Sequence, residues 1–464
     1  MVRVFRNLYT IRNMFYIFTE GFFIYLSVIV SSLIILNGSI DLFDFWLHIR
    51  SGVIAFTCII CLYYNSVYDI TLTRDYSELS IRLLQAFGVA LIVLAGIYAI
   101  FQNMIICRGL FLIYLPIVMC LISIWRFLYL IVLKKGFMNQ RVIVVGSGEI
   151  AEDIISKITT EIDCGYSLIA RVEKKFSNNN ENIVSQDIKS IEGFENLNKT
   201  ALKTGADIII VAIREKRGGF PLKELLKCRV EGIDIIDGNS FYEMLTGKLS
   251  VSHTNPAWLI FSEGFKKSYL KSLIKRIEDI FVSTLLLVLL MPIILITSIF
   301  IKIESKGPVF YSQERLGKRK RPYMVYKFRS MASDAEKDSG PVWAKKDDFR
   351  VTGVGRFIRK WRVDEIPQLW NVLKGNMSMI GPRPEREFFV NQLEDIIPYY
   401  SERFSIKPGV TGWAQVCYGY GDSVEDAIEK LNYDLFYIKN MSVFFDIVII
   451  FRTVKTVLFG VGAR

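Results

Sequence analysis

The stretch KRIEDIFVSTLLLVLLMPIILITSIFIKI, residues 275–303, decides how this chain meets a membrane. Its apolar run from Ile280 to Ile303 is long enough to cross a bilayer, since about 20 apolar residues span the hydrocarbon core. Pro292 lies near the middle of the run, where a proline removes a backbone donor and bends a helix. The pattern predicts a re-entrant helix at about 275–303 that breaks at Pro292 and returns, and a kinked spanning helix is the alternative.

Basic residues stand on both sides of this apolar run. Lys275 and Arg276 precede it, and a larger group follows it: Lys302, Lys306, Arg315, Lys318, Arg319, Lys320 and Arg321. A complete crossing would place the second group outside the cell, against the rule that basic residues stay on the cytoplasmic side. Re-entry keeps both groups at the cytoplasmic face. We expect Lys275, Arg276 and Asp279 to fix the segment by charge pairing and headgroup contact.

The first third of the chain contains four further apolar stretches, at about 14–36, 51–64, 83–101 and 110–133. Three are near or above the length that a spanning helix needs, and the second is short. Basic residues stand before the first stretch, between the second and the third, and after the fourth: Arg3, Arg6, Arg12, Arg74, Arg82, Lys134, Lys135 and Arg141. Residues 1–138 are therefore predicted to form a four-helix transmembrane domain with both ends in the cytoplasm.

Residues 139–262 have the pattern of an α/β domain. The run Arg141-Val-Ile-Val-Val145 predicts a buried strand, and an amphipathic helix follows the glycine run Gly146-Ser-Gly148-Glu-Ile-Ala151. Further strands are predicted at 167–172, 207–212 and 232–236. Strands that alternate with helices indicate a parallel sheet of the Rossmann type.

The glycine run of this domain resembles a dinucleotide-binding fingerprint, and Glu173 stands where an acidic residue could meet a ribose. The glycines can equally serve only the tight turn between strand and helix. Nucleotide binding by the Rossmann-like domain therefore stays open.

The rare residue types limit the chemistry. The chain has only two histidines, His48 and His253, which argues against a histidine triad or a histidine-rich metal cage. A catalytic acid, base or nucleophile is therefore expected to be a carboxylate. Cys58 and Cys61 have metal-ligand spacing but no second pair, and packing in the membrane is expected for them. The net charge of +11 suits anionic lipid headgroups and a phosphate-rich substrate, and no nucleic-acid motif is present.

The chemistry is expected at Asp364-Glu-Ile-Pro-Gln-Leu-Trp-Asn-Val-Leu-Lys-Gly375. Asp364 is predicted to cap a helix that has Pro367 in its first turn and ends at Gly375. Four basic residues stand nearby: Arg356, Arg359, Lys360 and Arg362. Two carboxylates at the positive end of a helix among cations suit a diphosphate, with one as nucleophile and the other binding a divalent cation. A helix cap with a solvated neighbour is the alternative.

These motifs resemble those of the monotopic phosphoglycosyl transferases, the bacterial sugar transferases that initiate exopolysaccharide and O-antigen synthesis. The likeness rests on ordered motifs: Lys275-Arg-x-x-Asp279, the membrane run with Pro292, Gly307–Gly317, Lys327–Met331, Asp364–Gly375, Gly381–Glu385 and Lys407–Val416. It implies that residues 263–464 form an α+β catalytic domain. The four-helix unit and the Rossmann-like domain look like the large form of the family, and the ending is similar to exopolysaccharide-system members.

The resemblance implies a ping-pong reaction at the cytoplasmic face of the bacterial inner membrane. Asp364 would attack the sugar-linked phosphate of a UDP-sugar and release UMP, and Glu365 would hold Mg²⁺. Undecaprenyl phosphate would then take the phosphosugar, and downstream glycosyltransferases would extend it. Glucose or galactose is expected from the large form of the family alone. The sequence leaves open a homo-oligomer and the chain length of the acceptor.

Other cations are predicted to bind the donor phosphates. Lys327 and Arg329 lie two residues apart on a predicted strand and therefore project to one face. Arg362 adjoins the carboxylate pair, and Arg383 is held between two prolines that stiffen its backbone. The alternatives are ordinary surface charges for the strand pair and an ion pair with Glu385 for Arg383.

Two other functions are compatible with parts of the sequence. A nucleotide-sugar oxidoreductase would use the glycine loop, but no Tyr-x-x-x-Lys follows the Rossmann strands. A non-catalytic, nucleotide-sensing scaffold of polysaccharide assembly would not need Asp364. The C-terminal run 443–460 is apolar but carries Arg452 and Lys455, which predicts a helix in the membrane interface, with a buried core helix as the alternative.

Overall fold

A computed structural model describes residues 11–39, 41–68, 76–107, 109–134, 139–160, 164–173, 189–213, 220–251, 264–265, 268–331, 350–419, 421 and 423–458. The described residues divide into two compact units, which meet between Gly238 and Asn239 in the sequence. This division is coarser than the limits 1–138, 139–262 and 263–464, which remain predictions. The second unit includes the segment after Asn239 because that segment bonds to its C-terminal helices: the indole nitrogen of Trp413 donates to the carbonyl oxygen of Gly247 at 2.7 Å.

The first unit begins with four long helices: α1 (Ile11–Ile35), α2 (Phe45–Tyr64), α3 (Tyr76–Ile100) and α4 (Leu110–Lys134). Each contains an apolar segment long enough to cross a membrane, so the predicted four-helix unit is confirmed. Helix α2 starts well before the short stretch predicted for it. Asp44 caps α2 by accepting a hydrogen bond from the backbone nitrogen of Trp46 at 3.1 Å. His48 and Arg50 interrupt the apolar pattern in its first turns.

An ion pair is buried among these helices. Arg126 on α4 donates through Nε to Oε1 of Glu20 on α1 at 2.8 Å. Its Nη1 donates to the backbone carbonyl of Val67 at 2.8 Å. The rings of Tyr16 and Tyr68 flank the guanidinium, with centroids 5.5 and 5.6 Å from Cζ. Because unpaired charges are costly within a membrane, this pair favours one register of α1 against α4.

The rest of the first unit is a parallel sheet with helices. Its elements are β1 (Gln140–Val145), α5 (Glu149–Thr160), β2 (Tyr166–Glu173), β3 (Lys189–Glu192), α6 (Leu197–Thr204), β4 (Ile208–Val211), α7 (Leu222–Val230) and β5 (Asp234–Asp237). All described pairings are parallel, and the strand order is β3-β2-β1-β4-β5. This order confirms the predicted Rossmann-type sheet.

The glycine loop and Glu173 both have structural explanations in this domain. A β-carbon on Gly146 would lie 2.5 Å from the carbonyl oxygen of Ala212, so the close approach of two backbones requires a glycine there. Glu173 is buried and forms an ion pair with Arg171, which also pairs with Glu152 on α5. The structure therefore commits Glu173 to Arg171 rather than presenting it to a ribose.

The two glycines of the loop offer a matched pair of substitutions. Gly146→Ala is expected to destabilise the Rossmann-like domain by about 3 kcal/mol, because it adds a backbone clash to the strain of a φ of 122°. Gly148→Ala carries similar strain, with a φ of 118°, but meets nothing within 4 Å and should cost about 1 kcal/mol. Thermal unfolding of the two detergent-solubilised variants measures the difference. Equal losses of thermal stability in the two variants would contradict the backbone clash assigned to Gly146→Ala.

The second unit mixes helices with short strands. Its elements are α8 (Gly238–Thr246), α9 (Tyr269–Leu289), α10 (Met291–Glu304), β6 (Phe310–Leu316), β7 (Pro322–Phe328), α11 (Gly353–Lys360), α12 (Gln368–Lys374), β8 (Ser378–Ile380), α13 (Glu387–Ile396), β9 (Gly409–Thr411), α14 (Trp413–Cys417), α15 (Val424–Asn440) and α16 (Val443–Leu458). Strands β6 and β7 form an antiparallel hairpin, and β8 pairs with β9 in parallel. This mixture agrees with the predicted α+β class.

Helices α9 and α10 are the two halves of one broken apolar helix. The helix axis bends by 60° between them, with Pro292 as the second residue of α10, so the break falls where the proline predicts it. At the start of the segment, Arg276 donates to two carbonyl oxygens of α12, at 2.6 and 2.7 Å. At its end, the carboxylate of Glu304 accepts from the backbone nitrogen of Val354 at 3.1 Å. Both ends of the segment are therefore fixed to the same compact unit.

Further polar contacts fix the first half of the broken helix. Asp279 is buried and accepts hydrogen bonds from the hydroxyl of Ser378 and the backbone nitrogen of Met379, both at 2.9 Å. The Lys275 ammonium lies 2.8 Å from Asp446 and 3.4 Å from Asp279. These residues thus hold α9 against β8 and α16 by charge pairing, and their contact with lipid headgroups stays a prediction.

The C-terminal helix α16 has two different faces. Phe445, Asp446 and Ile449 are buried in the second unit, as in the core-helix alternative. Ile447 and Phe451 are exposed and apolar, as expected of a helix in a membrane interface. Each of the two predictions for this segment describes one face of the helix.

Candidate active site

Asp364 and Glu365 lie in a single 3₁₀ turn that runs directly into α12. Arg362 precedes the turn in the left-handed region, with a φ of 53°. The prediction that Asp364 caps the helix is wrong, because Arg362 holds the capping position of the turn and α12 itself starts after Pro367. Gly375 ends α12 with a φ of 87°, as predicted. The two carboxylate residues are nearly buried, at 9% and 8% exposed.

Three of the predicted phosphate-binding cations surround Glu365. Its Oε1 accepts from Nζ of Lys327 at 3.0 Å and from Nη2 of Arg383 at 2.8 Å. Its Oε2 lies 3.8 Å from Nη1 of Arg362. Residues from β7, from the turn before α12 and from the loop after β8 are thus brought together at one carboxylate. Glu365 holds their positive charges beside Asp364.

Asn371 fixes the distance between α12 and β7. Its Oδ1 accepts from the backbone nitrogen of Tyr326 at 3.0 Å, and its Nδ2 donates to the carbonyl oxygen of Met324 at 2.7 Å. Lys327 follows Tyr326 directly, so this clamp sets where the lysine meets Glu365. Sequence reasoning missed Asn371, although an amide on the buried side of a short helix is a signal for backbone partners.

Arg329 does not join the other predicted cations. Its Nη1 donates to the carbonyl oxygen of Lys306 at 3.0 Å, and its Nη2 donates to the carbonyl and hydroxyl oxygens of Ser305, both at 2.8 Å. These oxygens lie just after α10, whose last carbonyl groups have no partner within the helix. Arg329 therefore stabilises the end of the broken helix, and the structure gives no support to a phosphate-binding role.

Arg359, at the end of α11, is a further cation of the site. Its Nε donates to the hydroxyl oxygen of Ser330 at 2.9 Å, and its charge acts on Asp364. In the sequence it is only one of four basic residues near the carboxylate pair. The Ser330 hydroxyl that orients Arg359 lies two residues after the end of β7, and the pattern of the helix that carries Arg359 does not reveal this contact.

A buried ion pair supports the backbone of Arg383. Nη2 of Arg403 donates to the carbonyl oxygen of Arg383 and to Oδ2 of Asp434, both at 3.1 Å. Arg403 and Asp434 are almost fully buried. Glu385, the alternative partner of Arg383, lies instead 3.7 Å from Arg315. Arg383 is thus directed to Glu365 by a support that the sequence does not predict.

The environment gives the two carboxylates different acidities. Burial and the adjacent Glu365 raise the pKa of Asp364 to about 6, against the charges of Lys327, Arg359 and Arg383. Burial also acts to raise the pKa of Glu365, but Arg383, Lys327 and Arg362 outweigh it and hold that pKa below its usual range. Glu365 is therefore held as the anion, whereas the pKa of Asp364 lies at about 6. Paired carboxylates with separated pKa values are a common arrangement for divided chemical roles.

The fit of a divalent cation can be judged from Glu365. The described residues contain no group of three or more His, Cys, Asp or Glu side chains that could hold a metal alone. Mg²⁺, however, is usually bound by one or two carboxylates together with substrate phosphates and water. The described cationic neighbour of Glu365 Oε2 is Nη1 of Arg362 at 3.8 Å, which is beyond hydrogen-bond distance, so this oxygen keeps lone pairs with which it could bind a metal. The residues fit a Mg²⁺ shared with a bound diphosphate.

Two family models match the chain. The model described as bacterial sugar transferase covers residues 270–460, which include every residue of the candidate site. A model described as a CoA-binding domain covers residues 64–236 and thus the parallel sheet.

Three curated relatives show the range of the similarity. UDP-N-acetylgalactosamine-undecaprenyl-phosphate N-acetylgalactosaminephosphotransferase of Aeromonas hydrophila is 42% identical over 240 residues, which are 52% of this chain and 56% of that protein. Undecaprenyl-phosphate galactose phosphotransferase of Salmonella typhimurium is 30% identical over 349 residues, 71% of this chain and 70% of that protein. Exopolysaccharide production protein PSS of Rhizobium leguminosarum bv. phaseoli is 40% identical over 190 residues, 40% of this chain and 95% of that protein.

The similarity thus spans little more than half the length of the Aeromonas protein but most of the Salmonella and Rhizobium proteins. The matched region carries the carboxylate pair, the cations around it and the broken apolar helix. From this match we conclude that the chain belongs to the bacterial sugar transferase family.

Proposed function

We propose that this chain transfers a sugar 1-phosphate from a UDP-sugar to undecaprenyl phosphate, with Asp364 as the nucleophile. The observation that carries the proposal is the contrast between two neighbouring carboxylates: Glu365 is neutralised by Arg383 and Lys327, and Asp364 is buried with a pKa of about 6. The names of the Aeromonas and Salmonella relatives, both undecaprenyl-phosphate sugar phosphotransferases, support the same reaction class.

The proposed reaction has two balanced steps. A carboxylate oxygen of Asp364 attacks the phosphorus that bears the sugar, and the bond to the bridging oxygen breaks so that UMP leaves with the electron pair. An oxygen of undecaprenyl phosphate then attacks the same phosphorus. The phosphorus–oxygen bond to Asp364 breaks, which regenerates the carboxylate and forms an undecaprenyl diphosphate sugar. A carboxylate nucleophile divides one displacement into two easier ones.

The surrounding residues would bind and orient the donor. Lys327 and Arg383 hold Glu365 in the structure, and both side chains are partly exposed, so a bound diphosphate could reach their positive charges. Glu365 would hold Mg²⁺ with the donor diphosphate, and such an ion neutralises phosphate charge. The positive charge of Arg359 favours the ionised form of Asp364 by acting to lower its pKa. Lys327 and Arg383 would thus bind the donor, Glu365 would hold the metal ion, and Arg359 would keep Asp364 ionised.

The broken helix supports a location at the cytoplasmic face of the inner membrane. Arg276 and Glu304, near its two ends, bond to elements of the same compact unit. A segment that crossed the bilayer would separate its ends by about 30 Å of hydrocarbon, which these contacts oppose. Exposed apolar side chains cover both halves of the helix, including Phe281, Val288, Ile296 and Phe300. A re-entrant helix explains both facts and brings a soluble donor and a lipid acceptor to one surface.

The proposed reaction is tested by product identity. The purified protein should release UMP from a UDP-sugar only when Mg²⁺ is present. Continued release over many turnovers should also require undecaprenyl phosphate, because the acceptor frees Asp364 for the next donor. The names of the Aeromonas and Salmonella relatives contain different sugars, and the resemblance to the large form of the family implies glucose or galactose, so the panel should include UDP-glucose, UDP-galactose and UDP-N-acetylgalactosamine. Release of UDP in place of UMP, or of no nucleotide from any donor, would overturn the proposal.

The pH dependence of UMP release should report Asp364. The group attacks as a carboxylate, and its raised pKa of about 6 means that the ionised fraction falls as pH drops through that value. We expect the rate at pH 5 to be roughly tenfold below the plateau above pH 7. Because Arg359 acts to lower this pKa, Arg359→Gln should move the midpoint to higher pH. A flat profile between pH 5 and pH 7 would argue against this assignment.

Membrane topology can be tested with two engineered cysteines at exposed positions. Ser39→Cys lies in the loop predicted to face outside, and Glu387→Cys lies on α13 of the catalytic unit. In intact cells a membrane-impermeant maleimide should label the first above the wild-type background and leave the second unlabelled until the cells are permeabilised. Labelling of Glu387→Cys in intact cells would favour the kinked spanning helix.

A further inference from the structure

We infer that one face of the β6–β7 hairpin, marked by Arg315 and Tyr323, binds the nucleotide half of the donor, which leaves as UMP. This assignment rests on the proposed function, which gives the nucleotide half no contacts of its own. Arg315 and Tyr323 lie directly opposite each other in the antiparallel register. The side chains of such a pair project from the same face of the hairpin and can act on one ligand.

The same face of the hairpin carries Lys327, whose ammonium donates to Glu365 at 3.0 Å. Lys327, Val325 and Tyr323 alternate along β7, so their side chains project to one side. Tyr323 lies four residues from Lys327, or about 13 Å along the strand. A nucleoside attached to a diphosphate at Lys327 can therefore reach Arg315 and Tyr323.

From Lys327, strand β7 leads to different surroundings in its two directions. Toward Arg329 it leads to the broken helix, because Arg329 bonds to oxygens just after α10. Toward Tyr323 it leads to the hairpin turn, whose residues Lys318–Lys320 are basic and exposed. A water-soluble nucleotide is expected on the side away from the apolar helix. The lipid acceptor then approaches from the opposite side.

Arg315 is a cation that is held mainly by neutral groups. Its Nη2 donates to Oε1 of Gln313 at 2.8 Å, and its Nη1 donates to the carbonyl oxygen of Pro384 at 3.4 Å. The carboxylate of Glu385 lies 3.7 Å away, which is beyond hydrogen-bond distance. Burial lowers the pKa of Arg315 and the charge of Arg383 adds to this effect, against the charge of Glu385. An anionic oxygen bound here would stabilise the guanidinium.

The hydroxyl of Tyr323 gives independent support for a ligand. It is buried and has no hydrogen-bond partner in the part of the chain that the structure describes. Buried hydroxyl groups nearly always have a partner, so an orphan hydroxyl marks a place where a ligand oxygen or a water binds. Burial raises the pKa of Tyr323, so its hydroxyl stays protonated and can donate. The Arg315 side chain is 20% exposed, so a ligand can approach the pair from solvent.

Calorimetric titration of the purified protein with UMP and Mg²⁺ tests the assignment. Arg315→Gln should weaken the affinity for UMP about tenfold, and Tyr323→Phe should weaken it about threefold. Because the Tyr323 hydroxyl has no described partner, Tyr323→Phe should leave the Tm unchanged, so weaker binding would not reflect misfolding.

Two matched control variants should bind UMP like the wild type. Arg321→Gln removes the same charge from an exposed position of the same hairpin. Tyr326→Phe removes a hydroxyl from the opposite face of β7. Unchanged affinity for UMP in both Arg315→Gln and Tyr323→Phe would overturn the inference.

The two steps of the proposed reaction give a second readout. Loading of the protein from a UDP-sugar, measured as UMP release in a single turnover, should slow in Arg315→Gln because the leaving half loses a contact. Transfer from the loaded protein to undecaprenyl phosphate should keep the wild-type rate, because UMP has already left. A purely structural role of Arg315 would slow both steps alike, and that result would also overturn the inference.

The outcomes separate this assignment from the proposed function. UMP release by the wild type, with unchanged UMP affinity in the variants, would overturn the assignment and leave the proposed function standing. UMP binding that depends on Arg315, without UMP release from any donor, would contradict the proposed function alone. Titration with uridine, which lacks the phosphate, locates the contact. Weakening of UMP binding alone would place Arg315 at the phosphate, and equal weakening with both ligands would place it at the nucleoside; either result supports the assignment.

Discussion

Asp364→Asn is expected to lower sugar phosphate transfer by at least about 10⁴-fold, since loss of a covalent nucleophile removes the whole reaction route. The amide keeps the size of the carboxylate but cannot form the proposed phosphosugar ester. UMP release and lipid-linked product should both disappear. In the wild type, acid trapping followed by mass spectrometry should show a hexose-phosphate adduct on the peptide that contains residue 364.

The same substitution is expected to make the folded protein more stable at neutral pH. The pKa of Asp364 is raised from its ordinary value of 3.8 to about 6 in the folded chain, so ionisation above pH 6 costs stability. This cost is nearly absent below pH 3.8, where both states are protonated, grows as pH rises from about 4 to 6, and is fully present above pH 6. The asparagine variant should therefore gain up to about 3 kcal/mol at pH 8 and almost nothing at pH 4.

A matched control separates this effect from a general loss of negative charge. Asp395 lies exposed on α13, and Asp395→Asn should change neither the rate nor the Tm. A gain in Tm together with lost activity would show that Asp364 is needed for transfer although its ionised form lowers the stability of the folded protein. Normal transfer by the Asp364→Asn variant, or the absence of any adduct on the wild type, would refute its role as the nucleophile.

The fold was predictable where one local pattern decided the structure. The long apolar stretches became α1 to α4, and the strand–glycine–helix pattern became the parallel sheet. Errors arose where a local pattern had two readings. Arg50 shortened the predicted α2 because a charge interrupts apolar periodicity even when the helix continues. Asp364 has the residue type of a cap, but a 3₁₀ turn before α12 moves it into the helical run.

The candidate site was predictable only in part, because its partners come from distant parts of the chain. The motif placed Asp364 next to Glu365, and the structure brings Lys327 and Arg383 to Glu365, whereas their binding of phosphate stays a prediction. The alternation of a strand grouped Lys327 with Arg329, yet tertiary contacts at the end of α10 take Arg329 away. No local rule links Arg403 with Asp434, since such a pairing depends on how α15 packs against the 3₁₀ helix Tyr400–Ser405 that precedes β9.

Arg403→Met is expected to give the largest loss of stability, about 3–5 kcal/mol at pH 8, because it leaves a buried carboxylate without its cation. Asp434 is 2% exposed, and burial already raises its pKa to about 6 although Arg403 acts to lower it. Without Arg403 that pKa should rise further. The penalty should then shrink as pH falls toward 5, where Asp434 takes up a proton. Thermal unfolding from pH 5 to pH 8 measures this trend, and a pH-independent loss would contradict it.

The double variant Arg403→Met with Asp434→Leu separates packing from positioning. Replacing a whole buried ion pair with apolar side chains is often neutral, so the Tm should recover most of the loss. Activity should not recover, because the carbonyl oxygen of Arg383 still lacks its donor and the arginine that meets Glu365 loses its support. A misplacement near 1 Å can cost about 100-fold in rate, and that loss should persist in the restored protein. Recovery of both Tm and rate would show that the pair serves folding alone, whereas recovery of the Tm alone would identify Arg403 as a positioning residue for Arg383.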